Sequence, residues 1–270
     1  MTFKNLILGK YLNRESFIHN LDPRTKFLSL FLILLTTTLV SNFYFIGGLF
    51  LFLGFTLLLT NISISYFLRQ FLPFLWIIII TLFFHIIFTN GRILFQIYWL
   101  NFRVTYEGVY NGLFYSSRII LLLAFSNLFM LTTSITDITD GMEIMLKPLK
   151  KLKIPVDKLC LILNISLRFI PTIFEEVERI RKAQVARGAE IEKGFFKRMQ
   201  NITSIVVPVF ISSFRRAEEL AITLASRGYP PESKRTYYRN IHFKIRDYSV
   251  LFFIIFITFA FLYFDNYLFG

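Results

Sequence analysis

Long apolar stretches without a charge dominate the first half of the chain. No charged residue occurs between Lys26 and Arg69, and about 20 residues are enough to cross the hydrocarbon core of a bilayer as a helix. The chain must therefore turn back inside this gap, and the polar pair Ser41-Asn42 is where the turn is expected. The pattern predicts membrane spans at about 27–41 and 43–61.

Three more apolar stretches are predicted to span the membrane, at about 71–89, 109–131 and 248–264. Hydrophobic residues make up 55% of the 270 residues and charged residues 17%. This composition is too apolar to cover the surface of a soluble globule. The predicted fold class is therefore an all-α integral membrane protein with about five transmembrane helices, plus long cytoplasmic helices between the fourth and last spans.

The region between the fourth and last spans is too long and too charged for a simple loop. It contains two nearly uncharged stretches, 159–174 and 202–214, and each runs directly into a charged helical pattern. We interpret them as long helices that lie partly in the membrane and emerge at its cytoplasmic face. A seven-span arrangement is the alternative, because it keeps both chain ends on the same sides. The predicted divisions are 1–133 with four spans, 134–247 with the cytoplasmic and interfacial helices, and 248–270 with the last span.

Basic residues indicate how the spans are oriented. The chain has 30 Lys and Arg against 17 Asp and Glu, and 21 of the basic residues lie between 134 and 248. Cytoplasmic loops of membrane proteins carry such an excess. The N-terminus and this basic region are therefore expected in the cytoplasm, in a multi-pass protein of the cell membrane. Long uncharged apolar runs argue against nucleic acid as the partner of the positive charge.

The same Arg-Gly pair closes two predicted helices 40 residues apart. Ala186-Arg187-Gly188 ends the first helix, and Ser226-Arg227-Gly228 ends the second. The simplest interpretation is structural, because a basic residue complements the dipole at a helix C-terminus and glycine adopts the left-handed cap. The alternative is that each guanidinium, flanked by small residues, offers its planar fork to a carboxylate of a partner.

Three segments of the chain resemble a known family of membrane proteins. The first is SFIHNLDPRTK at 16–26; the second joins LRFIP at 167–171 to the first Arg-Gly pair, and the third joins RAEELA at 216–221 to the second. In order, spacing and topology they are similar to the T component of energy-coupling factor (ECF) transporters, the membrane scaffold of a vitamin and metal uptake system. Ser226 stands where alanine is commoner in that family.

The resemblance implies a non-catalytic subunit of an ATP-driven importer. Two cytoplasmic ABC-type ATPases would dock on its coupling helices through Ala186, Arg187, Gly188, Ser226, Arg227 and Gly228. A small membrane-embedded substrate-binding subunit would be held by the membrane helices and moved when the ATPases close. ATP and Mg would be bound by the ATPases, so no cofactor, metal or catalytic residue is expected on this chain. Structural or partner contacts are expected of Asp22, Pro23, Arg24, Arg168 and Pro171.

A polytopic secondary transporter or membrane enzyme that acts alone is the alternative function. An ion-coupled transporter usually carries ionisable residues inside its spans, and the five predicted spans contain only His85 and Arg118. No phosphate-binding loop of the Walker type is present. We expect a structural role for Arg118, which would extend to the outer surface or bind Ser116, Ser117 or His85. Asp22 or Thr25 is expected to cap the first span.

Overall fold

A computed structural model describes most of the chain. The described residues are 12, 14, 16–97, 102–153, 155–187, 195–229 and 243–269. Within them the chain forms two compact units, one from 9–141 together with 241–270 and the other from 142–240. We call the first the membrane unit and the second the helix-pair unit, and each is described by itself.

Helices make up nearly all of the described structure, which confirms the predicted all-α fold class. The helices are α1 (Pro23–Leu39), α2 (Phe43–Thr60), α3 (Ile64–Arg69), α4 (Leu75–Phe88), α5 (Tyr106–Thr132), α6 (Ile135–Leu146), α7 (Val156–Ala186), α8 (Phe195–Ser226) and α9 (Ile245–Phe269). Short 3-10 helices occupy Leu72–Phe74 and Lys147–Leu152.

Four segments within the described residues are long and apolar enough to cross a membrane: Phe43–Thr60, Ile64–Phe88, Tyr106–Thr132 and Ile245–Asp265. They coincide with the second to fifth predicted spans. The first predicted span corresponds to α1, which is apolar but has only 17 residues. The segment Ile64–Phe88 is not one continuous helix: it consists of α3, a 3-10 turn that contains Pro73, and α4. Proline lacks the N–H that a continuous helix requires.

A short β-hairpin lies in the connection between α4 and α5. Strands β1 (Ile93–Ile97) and β2 (Phe102–Thr105) pair antiparallel, with a register shift between Ile93 and Phe95. The sequence analysis did not predict these two strands, which have only five and four residues.

The apolar core of the membrane unit lies between α2 and α5. Its buried side chains include Ile46, Leu49 and Leu53 from α2, and Leu121 and Phe125 from α5. In contrast, most large apolar side chains of α4 are exposed, as expected for a helix that faces lipid. Helix α1 packs against both α5 and α9, so the first and last helices of this unit are neighbours.

The turn between α1 and α2 is bound by side chains from two other helices. The carboxylate of Asp265, on α9, accepts hydrogen bonds from the Ser41 backbone N–H at 2.9 Å and from the Asn42 amide at 2.7 Å. The Arg118 guanidinium, on α5, donates to the Val40 carbonyl. These contacts hold the polar turn that the sequence placed at Ser41-Asn42.

Arg118 therefore has a structural role, although its partners differ from those that the sequence suggested. It donates to a backbone carbonyl, and its guanidinium lies over the Phe114 ring at 4.7 Å from the ring centroid and over the Tyr115 ring at 5.4 Å. The Ser116 hydroxyl is buried and has no hydrogen bond with any residue that the structure describes, and the His85 ring stacks on Tyr115 with centroids 4.7 Å apart.

Two long helices form the helix-pair unit. Helix α7 has 31 residues and α8 has 32, which confirms that 159–174 and 202–214 belong to long helices. Both helices continue through an internal proline, Pro171 in α7 and Pro208 in α8. Only Val156 and Cys160 of α7 are buried, so this unit has a much smaller core than the membrane unit.

Candidate partner-docking site

Helix α7 ends at the first Arg-Gly pair. Ala186 is its last residue, and the backbone N–H of Arg187 donates to the carbonyls of Ala183 at 3.2 Å and Gln184 at 3.1 Å. The side chains of Ala186 and Arg187 are both exposed. Gly188, which the sequence predicts as the cap, lies outside the described residues.

Helix α8 ends at the second Arg-Gly pair with a Schellman motif. Gly228 has φ +68°, its N–H donates to Ala225 O at 2.9 Å, and the Tyr229 N–H donates to Leu224 O at 3.0 Å. These are the two reverse hydrogen bonds of the motif, and the left-handed residue between them favours glycine. The expectation that Gly228 stops the helix is therefore confirmed.

Ser226 and Arg227 are exposed at this end. The Ser226 hydroxyl donates to the Thr223 carbonyl at 2.9 Å, so it is satisfied within its own helix and leaves only a small side chain on the surface. A partner can approach the backbone closely at this end, as at Ala186.

The two arginines differ from other arginines of the same helices. Arg179 and Arg181 bind Glu176 and Glu178 one turn earlier, at 2.5 and 2.7 Å, and Arg216 binds Glu176 at 3.4 Å. Hydrogen bonding by Arg179, and then the charges of Arg179 and Arg216, lower the pKa of Glu176 below its ordinary value. These three arginines therefore form ion pairs within α7 or between α7 and α8.

Arg187 and Arg227 form no ion pair with any described residue, and the same is true of Arg168 and Arg215. Arg168 lies exposed in the first half of α7 and Arg215 in the middle of α8, whereas Arg187 and Arg227 end their helices. A helix C-terminus favours a cation, and an exposed guanidinium there keeps its full set of donors for another molecule.

The two helix ends lie at opposite ends of the helix pair. Glu176 contacts Arg216, and the Gln184 amide donates to Ser204 O at 3.4 Å, so α8 runs antiparallel to α7. With a rise of about 1.5 Å per residue, Arg187 lies about 5 Å beyond Gln184, and Arg227 lies about 16 Å beyond Arg216 in the other direction. The arrangement suits two separate partner surfaces rather than one shared pocket.

Asp22, Pro23 and Arg24 form a cluster at the start of α1 in the membrane unit, with Asp22 buried and the other two residues partly buried. Asp22 accepts a hydrogen bond from the Arg24 N–H at 2.9 Å, which confirms it as the helix cap. The Arg24 guanidinium binds both carboxylate oxygens of Asp22 at 3.0 and 2.8 Å and lies 4.0 Å above the Phe243 ring. Asp22 is 7% exposed, so it is bound within its own chain, and a contact of these residues with a partner stays a prediction.

Two further residues extend this cluster: Lys26, which belongs to the motif at 16–26, and Asp247, which the sequence did not single out. Asp247, at the start of α9, accepts from the backbone N–H groups of Asp22 at 2.9 Å and Lys244 at 2.8 Å. The Lys26 ammonium donates to the carbonyls of His19 at 2.9 Å and Thr132 at 2.8 Å. The motif at 16–26 could have pointed to Lys26 as a functional or structural residue. Nothing in the sequence pointed to its partner, the Thr132 carbonyl at the end of α5.

Pro171 lies half-buried inside α7, and Arg168 one turn before it is exposed. A proline within a helix removes one backbone hydrogen bond. Their assignment to structure or partner contact stays a prediction.

The chain is similar to a family of transport proteins over most of its length. The family model for CbiQ, described as a cobalt transport protein, matches residues 14–238. The chain is 42% identical over 249 residues to the energy-coupling factor transporter transmembrane protein EcfT of Bacillus subtilis, an alignment that covers 92% of this chain and 93% of the relative. It is 36% identical over 264 residues to the protein of that name from Macrococcus caseolyticus, with 97% and 98% covered.

A relative of the same name from Lactococcus lactis is 37% identical over 260 residues, which cover 94% of this chain and 96% of that protein. Such coverage leaves no large part of either chain unmatched, and it includes both units described above. Together with the apolar helices, the matches identify a membrane component of a transporter. The chain belongs to the family of transmembrane components of energy-coupling factor transporters.

Proposed function

We propose that this chain is the scaffold through which two cytoplasmic ATPases act on a membrane-embedded, substrate-binding subunit. The observation that supports the proposal is the pair of exposed guanidinium groups, Arg187 and Arg227, at the C-terminal ends of two long antiparallel helices. Neither group has an ion pair among the described residues, although neighbouring arginines do.

Each helix end would dock in a groove of one ATPase. A guanidinium presents five N–H donors in a planar fork that matches a carboxylate, and the small side chains of Ala186 and Ser226 leave the backbone accessible. Because the two ends point in opposite directions along the helix pair, each would bind a different ATPase. ATP and Mg would be bound by the ATPases, and this chain would hold no cofactor.

Apolar surface supports the second part of the proposal. In α8, side chains such as Val206, Phe210 and Phe214 are about half exposed or more, at 52, 61 and 62%, and α7 has exposed Leu159 and Ile162. An exposed apolar stripe on a helix marks contact with lipid or with another protein. In this proposal the substrate-binding subunit covers part of this surface, and movement of α7 and α8 tilts it to release a vitamin or other micronutrient into the cytoplasm, where the N-terminus also lies.

Charge reversal tests the docking role. We expect the double variant Arg187→Glu plus Arg227→Glu to abolish copurification of the ATPases and ATP-dependent uptake, because each groove would then meet a negative charge. Arg215→Glu is the matched control, since Arg215 is an equally exposed arginine of α8 without an ion pair among the described residues. Copurification with the control should be unchanged, and circular dichroism should show that all variants keep their helices.

Conservative replacement then separates fork geometry from charge. Arg187→Lys and Arg227→Lys keep the positive charge but lose bidentate binding, so we expect weakened coupling of ATP hydrolysis to uptake rather than complete loss. Full transport by the double glutamate variant would refute the docking role. Uptake by the purified chain alone, without ATPases, would instead indicate a secondary transporter.

A further inference from the structure

A cavity of about 380 Å³ lies inside the membrane unit. Its walls come from α1, α2, α5 and α9, and residues 17, 18 and 21 close its end next to the start of α1. The volume is within the range of about 300–1,000 Å³ that is typical of small-molecule sites. It is more than twice the roughly 150 Å³ of an apolar cavity that binds benzene.

Helices α2 and α9 pack closely at one end, and the cavity lies nearer their other end. At the end near the α1–α2 turn, the Phe45 and Phe261 rings pack edge to face with centroids 5.6 Å apart. A Cβ on Gly48 would come within 3.0 Å of the Phe261 ring, so glycine permits this close approach. Two to three turns further along, Phe55 of α2 and Phe253 of α9 line the cavity and are 54 and 51% exposed. The cavity therefore opens sideways between these two helices.

Water is a poor occupant of this space. A buried water needs two to four polar partners, and the lining is almost entirely apolar. The hydroxyls of Thr56 and Thr132 line the cavity but donate to the carbonyls of Leu53 and Leu128 in their own helices. Few polar groups of the lining are therefore free to bind a water molecule.

One polar group of the lining is buried and has no hydrogen-bond partner among the described residues. It is the hydroxyl of Ser29, a residue of α1 that is 8% exposed. A buried hydroxyl without a partner is costly and uncommon. Lys26 lies one turn earlier on the same helix and also lines the cavity, so the polar residues of α1 lie toward the end next to residues 16–22.

We propose that one acyl chain of a membrane phospholipid occupies this cavity, with its ester carbonyl accepting a hydrogen bond from the Ser29 hydroxyl. The sideways opening between α2 and α9 faces the lipid that surrounds a membrane helix bundle. The polar residues of the lining, Ser29 and Lys26, lie toward the end next to residues 16–22. A phospholipid from the leaflet on that side would place its ester group near these two residues. Its acyl chain would then extend away from them into the apolar part of the cavity. This site is independent of ATPase docking.

Photocrosslinking tests the occupant. The full chain is reconstituted in phosphatidylglycerol vesicles that contain a phospholipid with a diazirine in its acyl chain, and adducts are mapped by peptide mass spectrometry. We expect adducts on the inner wall, at Ile33 and Phe125, besides those on outward-facing residues. Thr56→Phe places a phenyl ring in the cavity, which would obstruct an acyl chain, and should lower the inner-wall adducts at least fivefold. Thr38→Phe makes the same change at an exposed position of α1 and should leave them unchanged.

A second variant keeps the size of the cavity and removes only the hydroxyl. Ser29→Ala should lower the inner-wall adducts about fivefold, the effect of one lost hydrogen bond, whereas Ser249→Ala, at an exposed hydroxyl of α9, should not. Adducts confined to outward-facing residues, or inner-wall adducts that persist in Thr56→Phe, would refute the proposal. Loss of the adducts when the chain is copurified with its partners would show that a protein side chain fills the cavity instead.

Discussion

Two arginines of the membrane unit and two of the helix-pair unit have opposite surroundings. In the membrane unit, Arg24 is bound by both oxygens of a buried carboxylate and Arg118 donates to a backbone carbonyl. In the helix-pair unit, Arg187 and Arg227 end their helices in the open. A charge inside or beside the hydrocarbon must find a partner within the chain, whereas an exposed charge at a helix end has no such requirement. The comparison separates arginines that stabilise the fold from those that remain for a partner.

The largest expected effect follows from removal of the buried partner. Asp22→Ala leaves Arg24 without its carboxylate and α1 without its cap, and we expect a cost of about 3–5 kcal/mol for the broken pair. Thermal unfolding of the purified protein in detergent measures this as a large decrease of the midpoint temperature. Glu178→Ala is the control, because it removes an exposed pair within the helix-pair unit.

The comparison requires the opposite result for the exposed arginines. Arg187→Ala and Arg227→Ala should change the free energy of unfolding by no more than about 0.5 kcal/mol, as is usual for surface positions. If either variant lowers the midpoint temperature as much as Asp22→Ala does, that arginine serves the fold and the distinction between the two units fails.

The sequence predicted those parts of the fold that depend on local pattern. The absence of charge between Lys26 and Arg69 and the polar pair at 41–42 led to a predicted span at 43–61, and α2 occupies Phe43–Thr60. The span predicted at 109–131 lies within α5 (Tyr106–Thr132). In both places the hydrophobic run and its polar boundary determine the helix, and no distant contact is needed.

Contacts between distant positions could not be predicted in this way. Asp265 lies just beyond the last predicted span, yet it is buried and binds Ser41 and Asn42, more than 220 positions earlier. Lys26 binds the carbonyl of Thr132, 106 positions later. A single sequence shows that a polar residue near a span needs a partner, but not which one, because the partner is chosen by the packing of helices. The Arg-Gly pairs could be recognised as helix ends from the sequence, because the end of a helix depends on residues that are close together in the chain.

A smaller effect is expected at the end of α8. Gly228 has φ +68° and open space around it, so Gly228→Ala meets no clash, and its cost is that of a left-handed residue, about 1 kcal/mol. Opening of the helix end should become about fivefold more frequent. Hydrogen exchange of the Gly228 and Tyr229 amides measures this.

Gly54→Ala is the control for that substitution. A Cβ at Gly54 also meets nothing within 4 Å, but the residue lies in a regular helix, where alanine is favoured over glycine. We therefore expect no loss of protection in α2. Unchanged exchange at position 229 in the Gly228 variant would show that the end of α8 does not depend on the left-handed cap.

The smallest expected effect is a pH dependence of the segment before α1. Burial, and then the positive charges of Lys26 and Arg14, lower the pKa of His19 below its ordinary value of 6.5. The folded protein therefore prefers neutral His19, and its contribution to stability is present above the ordinary pKa and is lost as the pH falls through 6.5 toward the lowered value. The midpoint temperature should decrease more between pH 7.5 and pH 5.5 for the native chain than for His19→Gln, which does not titrate. An identical decrease in both proteins would mean that protonation of His19 carries no cost, and that the 16–22 segment tolerates charge as readily as the exposed ends of α7 and α8.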